Sequence, residues 1–222
     1  MRDAYDRFFK KFGISHDDFF RFGIEEIIHV PVDIAQFEWE KLKRKIRSNS
    51  EISIRSYGSK GTGSQLFIDL IEDVFGNSNV VIDKTNNSAP TDVLENLSGY
   101  SKKGKRDLDG ILNYQVSHVF GRTKNPYAFT APWNIVFLPK IIDPFTGHEA
   151  KGEASIRFQA IFQRHVFNIF KSMIEEFNSI VSNTSLADKI ENHLASLSLG
   201  NRKRKNFERA VRQTFEPIIL KD

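Results

Sequence analysis

The stretch NYQVSHVFGRTKNPYAFTAPWNIVFLP, Asn113 to Pro139, constrains the fold more than any other. Tyr114, Val116 and His118 alternate with Gln115, Ser117 and Val119, the period-two pattern of a strand. Gly121 breaks the alternation and Asn125-Pro126 marks a turn. Pro132-Trp133 then precedes a second strand-like run, Ile135-Val136-Phe137-Leu138, closed by Pro139. Thr146 followed three residues on by Glu149 fits a capping box, so a helix comes next. The order is β-β-α, with His118 in the first strand and Asn134 opening the second.

Helical patterns flank this element. Tyr5, Phe8, Phe9 and Phe12 form one stripe, Ser15-His16-Asp17-Asp18 reads as a helix start, and Phe37 to Ile46 is amphipathic with basic residues outside. Glu51 to Tyr57 alternates as a strand, the Gly-rich turn Gly58 to Gly63 leads into a helix from Gln65 to Phe75, and Val80-Val81-Ile82 is a short strand. Residues 147–215 are mostly helical, carrying Ile156, Phe158, Ile161, Phe162, Phe167, Ile169 and Phe170. The expected class is α+β, with a ββα element embedded in a mainly helical domain. Three regions make one compact unit: 1–50 helical, 51–150 mixed with the ββα element at 113–150, and 151–222 helical. Gly58 to Gly63 has the outer spacing of a P-loop, but Ser64-Gln65 stands where Lys-Ser/Thr is required, so a nucleotidase is disfavoured.

Composition narrows the function classes. There is no cysteine, which excludes disulfides, zinc-thiolate sites and thiol nucleophiles. Twenty phenylalanines against two methionines and two tryptophans imply large apolar faces. No run of 18 apolar residues exists and the N-terminus lacks a signal-peptide core, so no membrane is involved and the expected compartment is the cytoplasm. The net charge is only +4, but the charge is segregated. Residues 41–60 hold seven basic side chains against one acidic, residues 101–140 seven against two, and residues 200–222 seven against three. Such segregation suits a polyanion on one face, and it also suits solvated helix faces with a basic tail.

Ser117-His118-Val119-Phe120-Gly121-Arg122-Thr123, a loop, then Trp133-Asn134-Ile135-Val136-Phe137-Leu138-Pro139 resembles the HNH nucleases, also called ββα-metal or His-Me finger nucleases. The resemblance covers about residues 113–150. It implies a DNA endonuclease, restriction-type rather than a compact toxin domain, acting on double-stranded DNA with Mg²⁺ or Mn²⁺. His118 would be the general base, Arg122 a bidentate phosphate clamp, and Asn134 a metal ligand with a helix residue, His148 or less favourably Asp143. Ser117 stands where the family often has an acidic metal ligand, and the Cys-x-x-Cys pairs of many members are absent. Lys102, Lys103, Lys105, Arg106, Lys124, Arg202, Lys203 and Arg204 are the expected DNA contacts. A homodimer is expected for a palindromic site, and a restriction system would bring a cognate DNA methyltransferase. The alternative is a non-catalytic nucleic-acid-binding protein with a degenerate motif. His16, His29, His165 and His193 lack comparable company and read as structural or exposed.

Overall fold

Asp3 opens the first helix: its carboxylate accepts from the backbone N–H groups of Tyr5 and Asp6 at 2.8 and 3.3 Å. The computed structural model describes residues 2–83, 85–147 and 151–220. Helix α1 (Ala4–Phe12) stops at Gly13, whose left-handed φ of 66° suits a residue without Cβ. Ser15 caps α2 (His16–Glu25), where the sequence placed a helix start, by accepting from Asp18 N–H at 3.0 Å. The stripe expected on α1 is only partly core. Phe9 is buried, whereas Phe8 and Phe12 are exposed. Helix α3 (Val32–Arg47) buries Ala35, Trp39, Leu42 and Ile46 on one face and ends in Arg44, Lys45 and Arg47, cations placed where the helix dipole favours them.

The middle region opens with a parallel pair. Strands β1 (Ile52–Arg55) and β2 (Val80–Asp83) run Ile52 beside Val80 to Arg55 beside Asp83. Helix α4 (Ser64–Phe75) makes the crossover that parallel strands require. Asn77 locks the return, its buried amide donating to the carbonyls of Ile46 and Ser50 at 3.1 and 3.0 Å. The Asp83 carboxylate receives Thr85 N–H and Ala89 N–H at 3.0 and 2.7 Å and so starts α5 (Ser88–Ser98). Two short strands, β3 (Tyr100–Ser101) and β4 (Asp109–Gly110), bracket a basic loop.

The hairpin follows. Strands β5 (Tyr114–His118) and β6 (Ile135–Pro139) are antiparallel, with Tyr114 opposite Pro139 and His118 opposite Ile135. All five residues of β6 are buried, which explains its unbroken apolar run. Its outer edge is covered by Ile28, which exchanges two backbone hydrogen bonds with Phe137 at 2.9 and 3.0 Å. A short 3-10 turn at Asp143–Thr146 precedes α6 (Glu153–Ile169). The capping box expected at Thr146 does not start this helix. Thr146 instead donates to the Asp143 carbonyl at 2.8 Å, and α6 begins after Gly152. Glu149 and His148 lie outside the described residues. Helices α7 (Lys171–Val181), α8 (Thr184–Ser196) and α9 (Asn201–Thr214) complete the chain.

One hydrophobic cluster runs from Phe9 through the hairpin to Ile218. The phenylalanines do the joining: Phe20 meets Phe158 of α6 at 5.2 Å between ring centroids, and Phe19 meets Phe145 at 5.5 Å. The N-terminal helices are thereby pinned to the helix beside the hairpin. Trp133 is fully buried between Trp39 and Phe177, at 5.8 and 5.1 Å. The fold is α+β and dominated by helices. No helix among the described residues is long and apolar enough to cross a membrane.

Candidate functional site

The hairpin sets His118 at the end of β5 with its side chain 9% exposed. Its Nε2 lies 2.9 Å from the carbonyl oxygen of Phe129, and its ring stacks on the Phe129 ring at 5.4 Å with only 8° between planes. A carbonyl only accepts, so Nε2 must carry the proton and the neutral ring has its lone pair on Nδ1. The same bond, with the stacking on Phe129, fixes the ring plane.

Phe129 holds that position because two asparagines organise the loop. Asn134 has no exposed surface. Its Oδ1 accepts from Phe120 N–H at 3.0 Å, and its Nδ2 donates to the carbonyls of Gly121 and Ala128 at 2.9 and 2.8 Å. Asn125, equally buried, accepts from Tyr127 N–H at 2.9 Å and donates to the Thr214 carbonyl at the end of α9 at 3.2 Å. The role of Asn134 as a metal ligand is therefore replaced: its oxygen points into the loop and satisfies a buried N–H. It positions the loop that positions His118.

Arg122 is also engaged. Its guanidinium donates to the carbonyls of Phe120, Glu216 and Pro217 at 3.0, 3.2 and 3.2 Å, with the Glu216 carboxylate at 3.6 Å. Burial pulls its pKa below the usual arginine range, partly opposed by Glu216. A left-handed φ of 55° at Arg122 turns the chain to make these contacts. The side chain ties the loop to the C-terminal segment, which removes it as an open phosphate clamp. Ser117, the neighbour of His118, is buried.

A cleft of about 440 Å³ lies over this assembly, lined by His118, Gly121 and Arg122, by Thr146, and by Gln159 and Gln163 of α6, with Glu216 at its edge. Gln163 donates to the Val119 carbonyl at 3.1 Å. Gln159 has no hydrogen-bond partner among the described residues, and Gly147 makes room for it. A Cβ at Gly147, where φ is 93°, would stand 2.8 Å from the Gln159 amide nitrogen. Gln159 is the helix residue that sequence reasoning missed. Its only signal was a polar position one turn after Ser155 and one turn before Gln163 on α6.

The metal expectation finds little support in the donors at hand. Asn134 is committed to the loop, His148 lies outside the described residues, and Asp143 sits half-buried in the 3-10 turn. Among the described residues no three of His, Asp and Glu gather to hold an ion. Asn134 and Asp143 by themselves do not make a cage for a hard divalent cation, which needs several convergent oxygens.

The basic residues separate into two kinds. Lys105 lies 2.7 Å from the wholly buried Glu95, and Arg204 pairs with Glu208 at 2.9 Å and donates to the Leu194 carbonyl at 2.9 Å. Both are tied into the fold by these pairs. Lys102 folds back over the Phe137 ring at 5.8 Å, and burial holds it below the usual lysine range. Lys103, Arg106, Arg202 and Lys203 are exposed, and Lys124 is half-buried.

Comparison with known proteins places this chain in a family. A family model described as "Uncharacterised protein PM1201" matches residues 30–220. The "Uncharacterized protein PM1201" of Pasteurella multocida (strain Pm70) is 42% identical over 181 residues, covering 81% of this chain and 80% of that protein. No solved structure matches. The family match takes in the hairpin, the cleft, the first two basic stretches and nearly all of the third, and the chain belongs to the PM1201 family.

Proposed function

We propose that this chain is a phosphodiester hydrolase acting on double-stranded DNA, a restriction-type endonuclease of the ββα-metal kind with His118 as its general base. The observation that carries the reading is the His118 Nε2 contact with the Phe129 carbonyl. It holds the imidazole in one orientation at the wall of a cleft large enough for a phosphate and its sugar. In the reaction, Nδ1 takes a proton from water, the water oxygen bonds to phosphorus, and the bond from phosphorus to the 3′-oxygen breaks. The leaving oxygen gains a proton from solvent. Gln159, facing the same cleft, donates a hydrogen bond to the phosphoryl oxygen or holds the water. Dependence on Mg²⁺ or Mn²⁺ enters from the resemblance alone, so no step is drawn through a cation. A homodimer and a cognate methyltransferase belong to the same reading.

One observation favours a second reading, a non-catalytic nucleic-acid-binding protein. The guanidinium that should grip the phosphate, Arg122, is taken up by three backbone carbonyls. Nicking of supercoiled plasmid in Mg²⁺, in Mn²⁺ and in EDTA separates the two. The nuclease cuts in metal, stops in EDTA, and loses roughly 100- to 10,000-fold in His118→Ala while still binding DNA. Tight binding without cutting in any metal supports the second reading and sinks the first.

A further inference from the structure

Tyr57, just past the end of β1, is where the three basic stretches of the sequence meet. The first supplies Arg55, whose backbone N–H donates to the Thr123 carbonyl at 2.9 Å. The second supplies Lys124, with Nζ 5.9 Å from the centre of the Tyr57 ring. The third is α9, which packs Phe207 against that ring at 5.9 Å and brings Lys203 and Asn206 to a cavity of about 270 Å³ floored by Tyr57, Gly58 and Gly63. Arg209 lies close enough to oppose the rise that burial imposes on the Tyr57 hydroxyl.

No carboxylate among the described residues comes within ion-pair range of Arg55, Lys124, Lys203 or Arg209. The neighbouring acids are engaged elsewhere: Glu208 with Arg204, Glu216 with Arg122, and Asp83 at the start of α5. Burial and the nearby Arg55 hold Lys124 below the usual lysine range. Like charges gathered without a carboxylate partner repel one another, as Arg55 does Lys124. Nothing in the described fold relieves that repulsion; an anion from outside would.

We propose that the cavity at Tyr57 seats a phosphate group of a nucleic-acid backbone, with Lys203 on its wall, Lys124 over the Tyr57 ring and Arg209 nearby as the cations that hold it. Arg55 stands behind Lys124 and keeps the field positive. The proposal rests on DNA as the substrate and gives that substrate a second anchoring point, on the loop that begins directly after His118. Glycine backbone and an aromatic face accept a sugar-phosphate of any sequence, so the anchor adds affinity and register rather than base specificity.

The test is fluorescence anisotropy of a labelled DNA duplex with the full chain over a salt series. Lys124→Gln and Arg209→Gln each lower the slope of log affinity against log salt by about 1, and the double variant by about 2, with roughly 10- to 100-fold weaker binding at low salt. Lys124→Arg retains the slope. Lys171→Gln, which removes a cation paired with Glu175 on α7, leaves slope and affinity unchanged. Thermal melting establishes that each variant is folded. An unchanged slope in the double variant, an equal loss in Lys171→Gln, or a wild-type chain that binds no duplex overturns the proposal. His118→Ala is measured alongside. A chain that cuts DNA but ignores Lys124 and Arg209 loses only this anchor, and one that binds through them but never cuts loses only the nuclease.

Discussion

Two connecting loops of this molecule are each built around one side chain with no exposed surface, and they differ in its charge. The loop between β5 and β6 is gathered by Asn134, the loop between β3 and β4 by Glu95. A carboxamide both donates and accepts, so Asn134 satisfies one N–H and two carbonyls of its loop at once. A carboxylate only accepts, so Glu95 collects donors: Ser101 Oγ and Lys102 N–H at 3.2 Å each, and the Lys105 ammonium at 2.7 Å. The neutral clamp is indifferent to pH and salt, which suits a loop that must hold an imidazole in one orientation. The charged clamp exposes Lys103 and Arg106 and binds its order to a protonation state.

Breaking the neutral clamp has the largest expected effect on stability. Asn134→Asp puts an oxygen against the carbonyls of Gly121 and Ala128 and buries a charge without a partner, at about 3–5 kcal/mol. Asn134→Ala leaves three buried groups unpaired, at roughly 3 kcal/mol or more. Denaturant midpoints at constant m-value measure both. A loss below about 1 kcal/mol would show that the loop does not depend on this amide, and the ligand role read from the sequence would return.

That ligand role shows where sequence reading stops. The elements were legible because each has a local cause. The alternation around Val116 gave β5, the apolar run Ile135 to Leu138 gave β6, and Ser15 with Asp17 and Asp18 gave the start of α2. His118 was legible as a strand end because Gly121 follows three residues on. What Asn134 and Arg122 do was not legible, since amide and guanidinium serve equally well toward ligands and toward backbone carbonyls. Only the path of the loop decides which. Arg122 meets Glu216 and Pro217, about ninety residues away in the chain. Such pairings leave no mark in spacing. Gln159 was missed for the same reason: its place opposite His118 depends on the turn at Gly147. The start of α6 was misplaced because Thr146 and Glu149 imitate a cap, and Thr146 closes its own turn instead.

The charged clamp sharpens the contrast through pH. Burial pushes the Glu95 carboxyl up, but hydrogen bonds from Lys105 and Ser101, the Lys105 charge and Lys102 N–H outweigh it and hold the group below its ordinary value of 4.5. With the folded value below the unfolded one, the unfolded chain binds more protons between them. The contribution of Glu95 is then complete above the ordinary carboxylate range and is lost as pH falls through the folded value. Glu95→Gln costs about 1–3 kcal/mol near neutral pH and flattens part of the acid limb of stability, read from denaturant midpoints against pH. Asn134→Ala lowers the whole curve without changing its acid slope. An acid limb that Glu95→Gln leaves untouched would erase the distinction between the two loops.

The smallest effects fall on the cations that Glu95 presents. Lys103 and Arg106 are exposed and make no ion pair among the described residues, so Lys103→Gln and Arg106→Gln change stability by less than about 0.5 kcal/mol. If this loop follows a DNA backbone, each still removes about one unit from the salt slope of duplex binding. Lys105→Gln does the reverse. It leaves the buried Glu95 short of a partner and lowers stability, while the slope changes little because its charge is already neutralised within the fold. Equal slopes for all three variants would mean that Lys105 leaves Glu95 to meet phosphate. The buried carboxylate would then be a latch that DNA opens, rather than a fixed clamp.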